Sequence, residues 1–427
     1  MTTPSLRIKP IPHPLNATIC VPGSKSLTNR ALLIAALAAG TTRLTNALFS
    51  DDSRYFAGAL QTLGFDIQLD ESKHEMTVMG LGGRIPVQKA GLFIGNAGTA
   101  ARFLTAFLTL GNGEYVLDGE ARMRQRPIGD LVDSLTQLGA NLETSNNCPP
   151  VRIMAAGLPG GKTRIAGNIS SQFLSALLMV APYAGSTVEL EVTGILNSKP
   201  YVDMTIAVMM DFGVAVERHG YEAFKVTPCS YVSPSSYSIE SDASAASYFF
   251  AAPAICGGTV RVENLSRRSM QGDIAFLDVL KQMGCQVTEG GDFISVDCCR
   301  PADLRGVDVD MGDFPDTAQT LAVIAPFASS PTIIRGIASA RVKETDRIHA
   351  TCTELARLGV RVEEREDGMT IYPCEKFTPA SIRTYNDHRM AMAFSLIGLR
   401  AEGMEIENPS CVSKTFPDYF ETLEVLR

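Results

Sequence analysis

The chain lacks most of the features that announce a function outright. Its ten cysteines are scattered with no C-x-x-C pair, and adjacent Cys298 and Cys299 are too close for the usual spacing of zinc ligands. Thiols used this way fit a reducing compartment rather than a disulfide scaffold. Histidine is scarce, with five residues and no pair four apart, so no metal and no other cofactor is expected. No apolar run reaches the roughly 20 residues that span a bilayer. FLSALLMVAPYAG (173–185), among the longest, falls short. The opening MTTPSLRIKPIPHP has no apolar signal core, so a cytoplasmic protein is expected. Positive charge is not in excess either: the net charge is −8 and the isoelectric point about 5.3, against a broad nucleic-acid surface. A small anionic ligand stays open, because a cleft can be locally positive on an acidic protein.

What is present is apolar mass and repetition. With 427 residues, 45% apolar and 20% charged, the chain can bury sizeable cores and suggests two to three domains. The stretch AGTTRLTNALFSDDSRYFAGALQTLGFDI (39–67) shares its layout with segments at 111–142, 184–216, 257–287 and 329–362. Each runs from small residues through an alternating strand and a polar loop to an amphipathic helix that stops at a glycine, then into another strand. Those glycines, Gly64, Gly139, Gly213, Gly284 and Gly359, are spaced 75, 74, 71 and 75 residues apart. A sixth copy begins at 401.

Ahead of each copy lies a second, largely apolar helix candidate: SKSLTNRALLIAALAAG, NAGTAARFLTAFLTLG, SSQFLSALLMVAPYAG, SDASAASYFFAAPAICGG, PDTAQTLAVIAPFASS and NDHRMAMAFSLIGLRAEG. All open with Ser, Asn, Asp or Pro, residues that cap or start helices. A period this long, mixing strands and helices, matches none of the common solenoid lengths. The pattern therefore predicts an α/β protein of two domains with three units each, dividing near IESDAS (239–244) after the polar run SYVSPSSYS. Parallel buried helices would bring six positive helix ends to one face of an interdomain cleft.

The unusual residues gather at these helix entrances. VPGSKSLTNRALL (21–33) carries Lys25, Ser26 and Arg30, yet it is not a nucleotide P-loop, because the earlier glycine of G-x-x-x-x-G-K-[ST] is missing. Taken singly, each motif has an ordinary reading: Ser-Ser-Gln as a cap, Lys-Glu-Thr-Asp-Arg as a solvated helix start, Asp316 and Asp387 as caps, Gly98 as a packing glycine. Recurrence tips the balance, since a shared structural role predicts shared residues and these differ between copies.

Together, PGSKSLTNR, GNAGTAAR, RMRQRPIG, SSQFLSAL, SKPYVDMT, DASAASYF, RVKETDRI, YNDHRMAM and KTFPDYF resemble the 5-enolpyruvylshikimate-3-phosphate synthase family, from about residue 8 to the end. The resemblance implies the enolpyruvyl transferase fold: two domains, each of three β-α-β-α-β-β units with buried parallel helices. It places 21–239 in the first domain and 1–20 with 240–427 in the second, with hinge crossings near 21 and 240. It further implies transfer of the enolpyruvyl group of phosphoenolpyruvate to shikimate 3-phosphate by a monomer that needs no cofactor. Lys25, Ser26, Arg30, Ser170, Ser171, Gln172, Ser198, Tyr201, Asp316, Ser339 and Lys343 would hold shikimate 3-phosphate. Lys25, Asn96, Gly98, Arg126, Gln172, Arg347, Arg389 and Lys414 would hold phosphoenolpyruvate, and Asp316, Glu344 and Lys25 would move the protons.

Two positions depart from the family pattern. Phe103 follows Arg102 where the family usually has Pro, so inhibitor sensitivity does not carry over, and Ser339 stands where Asn is frequent. A sister transferase acting on UDP-N-acetylglucosamine would carry a reactive Cys in the loop GEARMRQRPIG, which has none. A non-catalytic polyanion-binding scaffold would spread its cations over a surface rather than place a distinct set at each helix entrance.

Overall fold

The computed structural model describes residues 4–427; residues 1–3, which the family resemblance places in the second domain, lie outside it. The chain divides into two compact units, Gly23–Glu240 and Met1–Pro22 with Ser241–Arg427. Six small sheets are present among the described residues, five of four strands and one of three.

The second repeat shows the unit without interruption. Strand Lys89–Phe93, helix Gly98–Leu108, strand Asn112–Asp118, helix Gly129–Gln137 and strands Leu142–Thr144 and Val151–Ala156 follow one another. The first strand pairs parallel to the second, which pairs antiparallel to the last. The amphipathic helices stop where the periodicity places them: Gly64, Gly139, Gly213, Gly284 and Gly359 all have positive φ, which ends a helix with little strain.

At the two crossings between units the strand order is exchanged. Strand Leu15–Cys20 precedes the Lys25–Leu37 helix in sequence but belongs to the unit that contains Ser241–Arg427, where it pairs parallel with Gly258–Glu263. Reciprocally, Ser236–Ser238 precedes the Ala243–Cys256 helix yet pairs parallel with Arg43–Thr45 of the Gly23–Glu240 unit. The end of the polar run SYVSPSSYS is thus a sheet strand, and its Tyr231 is buried.

The six apolar helices are Lys25–Leu37, Gly98–Leu108, Ser171–Val180, Ala243–Cys256, Ala318–Ile324 and His388–Gly398, and each is buried along nearly its whole length. A largely apolar helix rests inside a core, and each three-repeat unit holds three such helices with three small sheets. Ser24, Ser170, Asp242 and Asp387 accept backbone N–H bonds as caps. The second repeat departs from the expected Ser/Asn/Asp/Pro start: the cap position is Ala97, with no side-chain bond, and Gly98 opens the helix. Among the described residues no helix is long and apolar enough to cross a membrane.

Candidate active site

In the Gly23–Glu240 unit the cations named from sequence sit at the helix entrances. Lys25 is the first residue of its helix, with Nζ 3.7 Å from Asp52 Oδ2 and its side chain 14% exposed. One turn on, Arg30 is wholly buried and all its bonds run to neutral atoms. Its Nε donates to Thr205 Oγ1 at 2.7 Å, Nη1 to the Ser26 carbonyl at 2.9 Å, and Nη2 to the Tyr201 carbonyl at 3.1 Å and Ser175 Oγ at 3.3 Å. Burial pushes the guanidinium down to about 10, a cost that no carboxylate offsets. Its fourth wall is the ring of Phe103, 5.3 Å from the guanidinium carbon. Through these bonds Arg30 ties the first helix to both helices of the third repeat.

The third repeat supplies Ser170 as the cap of its helix, with Ser171 buried and Gln172 half-buried behind it. Gln172 Nε2 reaches Thr99 Oγ1 of the second repeat at 3.4 Å. Ser198 is 9% exposed and left-handed, at φ 56°, and stands at the N-cap position of the helix that carries Tyr201, without a side-chain cap bond.

Arg126 shows why the second repeat opens on glycine. Its Nη1 donates to the Asn96 carbonyl at 3.0 Å and to Asn96 Oδ1 at 3.1 Å. A Cβ on Gly98 would stand 2.8 Å from Arg126 Cζ and 3.0 Å from Arg102 Nη1, so only glycine lets both guanidinium groups lie against the helix end. Arg102, which lies in the GNAGTAAR motif, was given no substrate role from sequence. It donates to the Gly98 carbonyl at 3.0 Å and the Pro127 carbonyl at 2.8 Å, joining the helix start to the segment that carries Arg126.

In the other unit an ion-pair network is centred on Asp316. Lys343 Nζ lies 2.5 Å and Arg347 Nη1 3.2 Å from its Oδ1, and Arg389 Nη2 donates to Oδ2 at 2.8 Å. Arg347 also donates to Glu344 Oε2 at 2.7 Å, and Lys414 Nζ stands 3.9 Å from Glu344 Oε1. The Lys-Glu-Thr-Asp-Arg segment is therefore no solvated helix start: Glu344 is 8% and Arg347 3% exposed. Asp387 caps its helix and binds Arg347 as well. Burial opposes the charge on Arg347, yet Asp387, Glu344 and Asp316 hold it above its ordinary value; on Lys343 burial wins and pushes the ammonium down. Ser339, half-buried in the turn Ala338–Val342, is not joined to this network.

Sequence reasoning also missed Asp273. It is 3% exposed, accepts from Ser244 Oγ at 2.8 Å, and is raised to about 6 by burial and then by the charge of Asp316. Its short turn Gly272–Ala275 carries no signal beyond an acidic residue near an apolar helix.

A cavity of about 780 Å³ opens on the strands Gly161–Ala166, Val188–Thr193 and Ala223–Val226, but none of these site residues lines it. Converging charge at helix entrances, rather than cavity size, marks the chemistry. Among the described residues no group of three or more His, Cys, Asp or Glu is placed to hold a metal ion.

The sequence model of the EPSP synthase (3-phosphoshikimate 1-carboxyvinyltransferase) family matches residues 10–423. The chain belongs to that family. A 3-phosphoshikimate 1-carboxyvinyltransferase of a Nostoc species is 52% identical over 418 residues, 97% of this chain and 98% of that relative. The enzymes of the same name from Shewanella denitrificans (51%, 97% of each chain) and a Sulfurovum species (50%, 98% of each chain) are similar over the same span. An EPSP synthase structure from Acinetobacter baumannii has a TM-score of 0.81 at 26% identity, covering 99% of this chain and 98% of that one. The chain thus has the two-domain α/β enolpyruvyl transferase fold, and it is an enzyme of the EPSP synthase type.

Proposed function

We propose that the two clusters divide the work of the family's reaction, transfer of the enolpyruvyl group of phosphoenolpyruvate to the 5-hydroxyl of shikimate 3-phosphate with release of phosphate. This is the shikimate-pathway step that leads to chorismate and the aromatic amino acids. Lys25, Ser26, Arg30, Ser170, Ser171, Gln172, Ser198 and Tyr201 hold shikimate 3-phosphate, with Asp316 and Lys343 on the same substrate. Lys25, Asn96, Gly98, Arg126, Gln172, Arg347, Arg389 and Lys414 hold phosphoenolpyruvate. Both substrates bring a phosphate and a carboxylate, groups that guanidinium forks match and ammonium groups neutralise.

The methylene carbon of phosphoenolpyruvate takes a proton, which leaves cationic character on the adjacent carbon. The 5-hydroxyl adds there and gives up its proton. The tetrahedral adduct then loses phosphate and one methyl proton, restoring the enol ether. Asp316 takes the hydroxyl proton; Glu344 and Lys25 serve the carbon proton and the departing phosphate. The observation that carries this assignment is the grip of Lys343, Arg347 and Arg389 on Asp316. Three cations meet on this one carboxylate and occupy both of its oxygens. An anionic substrate that draws Arg347 and Arg389 to itself frees Asp316 to act as a base only once that substrate is bound.

Phosphate release from phosphoenolpyruvate tests the reading, with shikimate 3-phosphate or UDP-N-acetylglucosamine as acceptor. Release is expected with the first acceptor alone; release only with the second, or with neither, overturns it.

A further inference from the structure

The sheet built on Leu15–Cys20 brings together cysteines that the reaction does not use. Strand Gln286–Glu289 runs antiparallel to Phe293–Cys298, with Gln286 opposite Asp297 and Val287 opposite Val296. One more step of that register sets Cys285 opposite Cys298. Both residues are buried, at 5% and 4% exposure.

Both backbones are pinned. The Cys285 N–H donates to the Leu280 carbonyl at 2.9 Å, closing the end of the Phe276–Met283 helix just past left-handed Gly284. Cys298 pairs with Gly258 on its other side. Opposed residues of an antiparallel pair have Cα atoms about 4.5–5.5 Å apart, inside the range of 4.4–6.8 Å that a disulfide accepts. A register continued by one residue therefore keeps the pair within reach of such a bond.

The two thiols are not equivalent. The proximity of Cys285, followed by that of the Arg300 backbone N–H, pulls the Cys298 thiol below its ordinary value, while Cys298 and burial push Cys285 up. Neighbouring thiols are poorer reactants. Exposed Cys299 is held by Asp297 Oδ1 at 2.9 Å, whose charge raises it, and burial takes Cys256 up to about 12.

We propose that Cys285 and Cys298 form a reversible dithiol–disulfide site, in which Cys298 reacts first with a peroxide and Cys285 resolves the product. The Cys298 thiolate attacks one peroxide oxygen, the O–O bond breaks, and the departing hydroxide takes a proton to become water. The sulfenic acid left on Cys298 is attacked by Cys285 sulfur. The S–S bond forms, and the second hydroxide leaves with the Cys285 proton as water. Two thiols lose two electrons and one hydrogen peroxide becomes two waters.

The test treats the folded full-length protein with hydrogen peroxide, blocks remaining thiols with N-ethylmaleimide, and cleaves after glutamate. Glu289 lies between the two cysteines, so the cut separates them unless they are bonded. A linked pair of peptides carrying Cys285 and Cys298, released by dithiothreitol and persisting in Cys299→Ser, is the expected result. In Cys285→Ser, dimedone should label Cys298; in Cys298→Ser, Cys285 should remain reduced. The linked protein should melt at a higher temperature than the reduced one, because the bond closes a hairpin already in native register. Linkage of Cys298 to Cys299 or Cys256, both thiols staying reduced while Cys299 oxidises, or a fall in melting temperature overturns the proposal. The mapping on the unmutated protein stands even if a variant does not fold.

Discussion

Arg347 holds Asp387 through two guanidinium nitrogens, Nε to Oδ2 at 2.7 Å and Nη2 to Oδ1 at 3.2 Å, with both side chains almost fully buried. Asp387 at the same time caps the His388–Gly398 helix through the Arg389 N–H at 2.9 Å. One carboxylate therefore fixes the cation of one repeat and the helix start of the next. Removing it should be expensive, because a buried cation loses its fork partner. Asp387→Ala is expected to lower unfolding stability by about 3–5 kcal/mol. The double variant Arg347→Met/Asp387→Leu should lose clearly less than the sum of the two single changes in denaturant titration; additive losses would show that the pair is not coupled.

Arg126 and Gly98 should behave as one element. Arg126→Ala removes charge-assisted bonds worth roughly 1.5–3 kcal/mol each, so KM for phosphoenolpyruvate should rise about tenfold or more. Gly98→Ala should raise the same KM, since its Cβ displaces the guanidinium rather than removing it. An unchanged KM in either variant takes Arg126 out of the site.

Phe103 lies under Arg30, whereas Phe107, one turn on and equally buried, packs against Phe65. Phe103→Leu removes a desolvated cation–π contact worth up to about 2 kcal/mol. Steady-state kinetics should show KM for shikimate 3-phosphate rising several-fold for Phe103→Leu and staying put for Phe107→Leu. Equal changes in both would mean that the effect is one of packing alone.

Asp273 makes a prediction about pH. Its folded carboxyl is raised to about 6 from 3.8, so the folded state binds that proton more tightly than the unfolded chain does. The stability it contributes is present in full below the unfolded value and is lost as pH rises through about 6. Asp273→Asn keeps a neutral group at every pH. Its melting temperature should therefore gain on the parent protein between pH 4 and pH 7; a difference that is flat over that range would contradict the assignment.

Repetition made much of this architecture legible. Helix-stopping glycines fall at a regular spacing because each copy needs one positive-φ residue, and six helices read as buried because they are largely apolar on every face beyond the first turn or two. The charged residues at helix entrances stand out for the converse reason. What stayed hidden depends on partners distant in sequence. Arg102 acts on the Pro127 carbonyl, and any residue offers a carbonyl, so no side-chain pattern records the bond. Asp273 looks like any acid until the Asp316 network is folded beside it. Ser236–Ser238 is polar and three residues long, and only its pairing with Arg43–Thr45 makes it a strand.

That exchanged strand has a consequence for how the chain can be cut and made. The Gly23–Glu240 unit carries all the strands of its own three sheets, so it is in effect a complete insertion into the other unit. A fragment of residues 23–240 has every pairing it needs, while one beginning at Ser241 lacks Ser5–Arg7 and Leu15–Cys20 and leaves Glu405–Glu407 and Gly258–Glu263 each short of a partner. During synthesis from the N-terminus, Leu15–Cys20 waits for the whole insertion to emerge before its partner exists. One unit is a self-sufficient cassette; the other is finished only by the two strands made first.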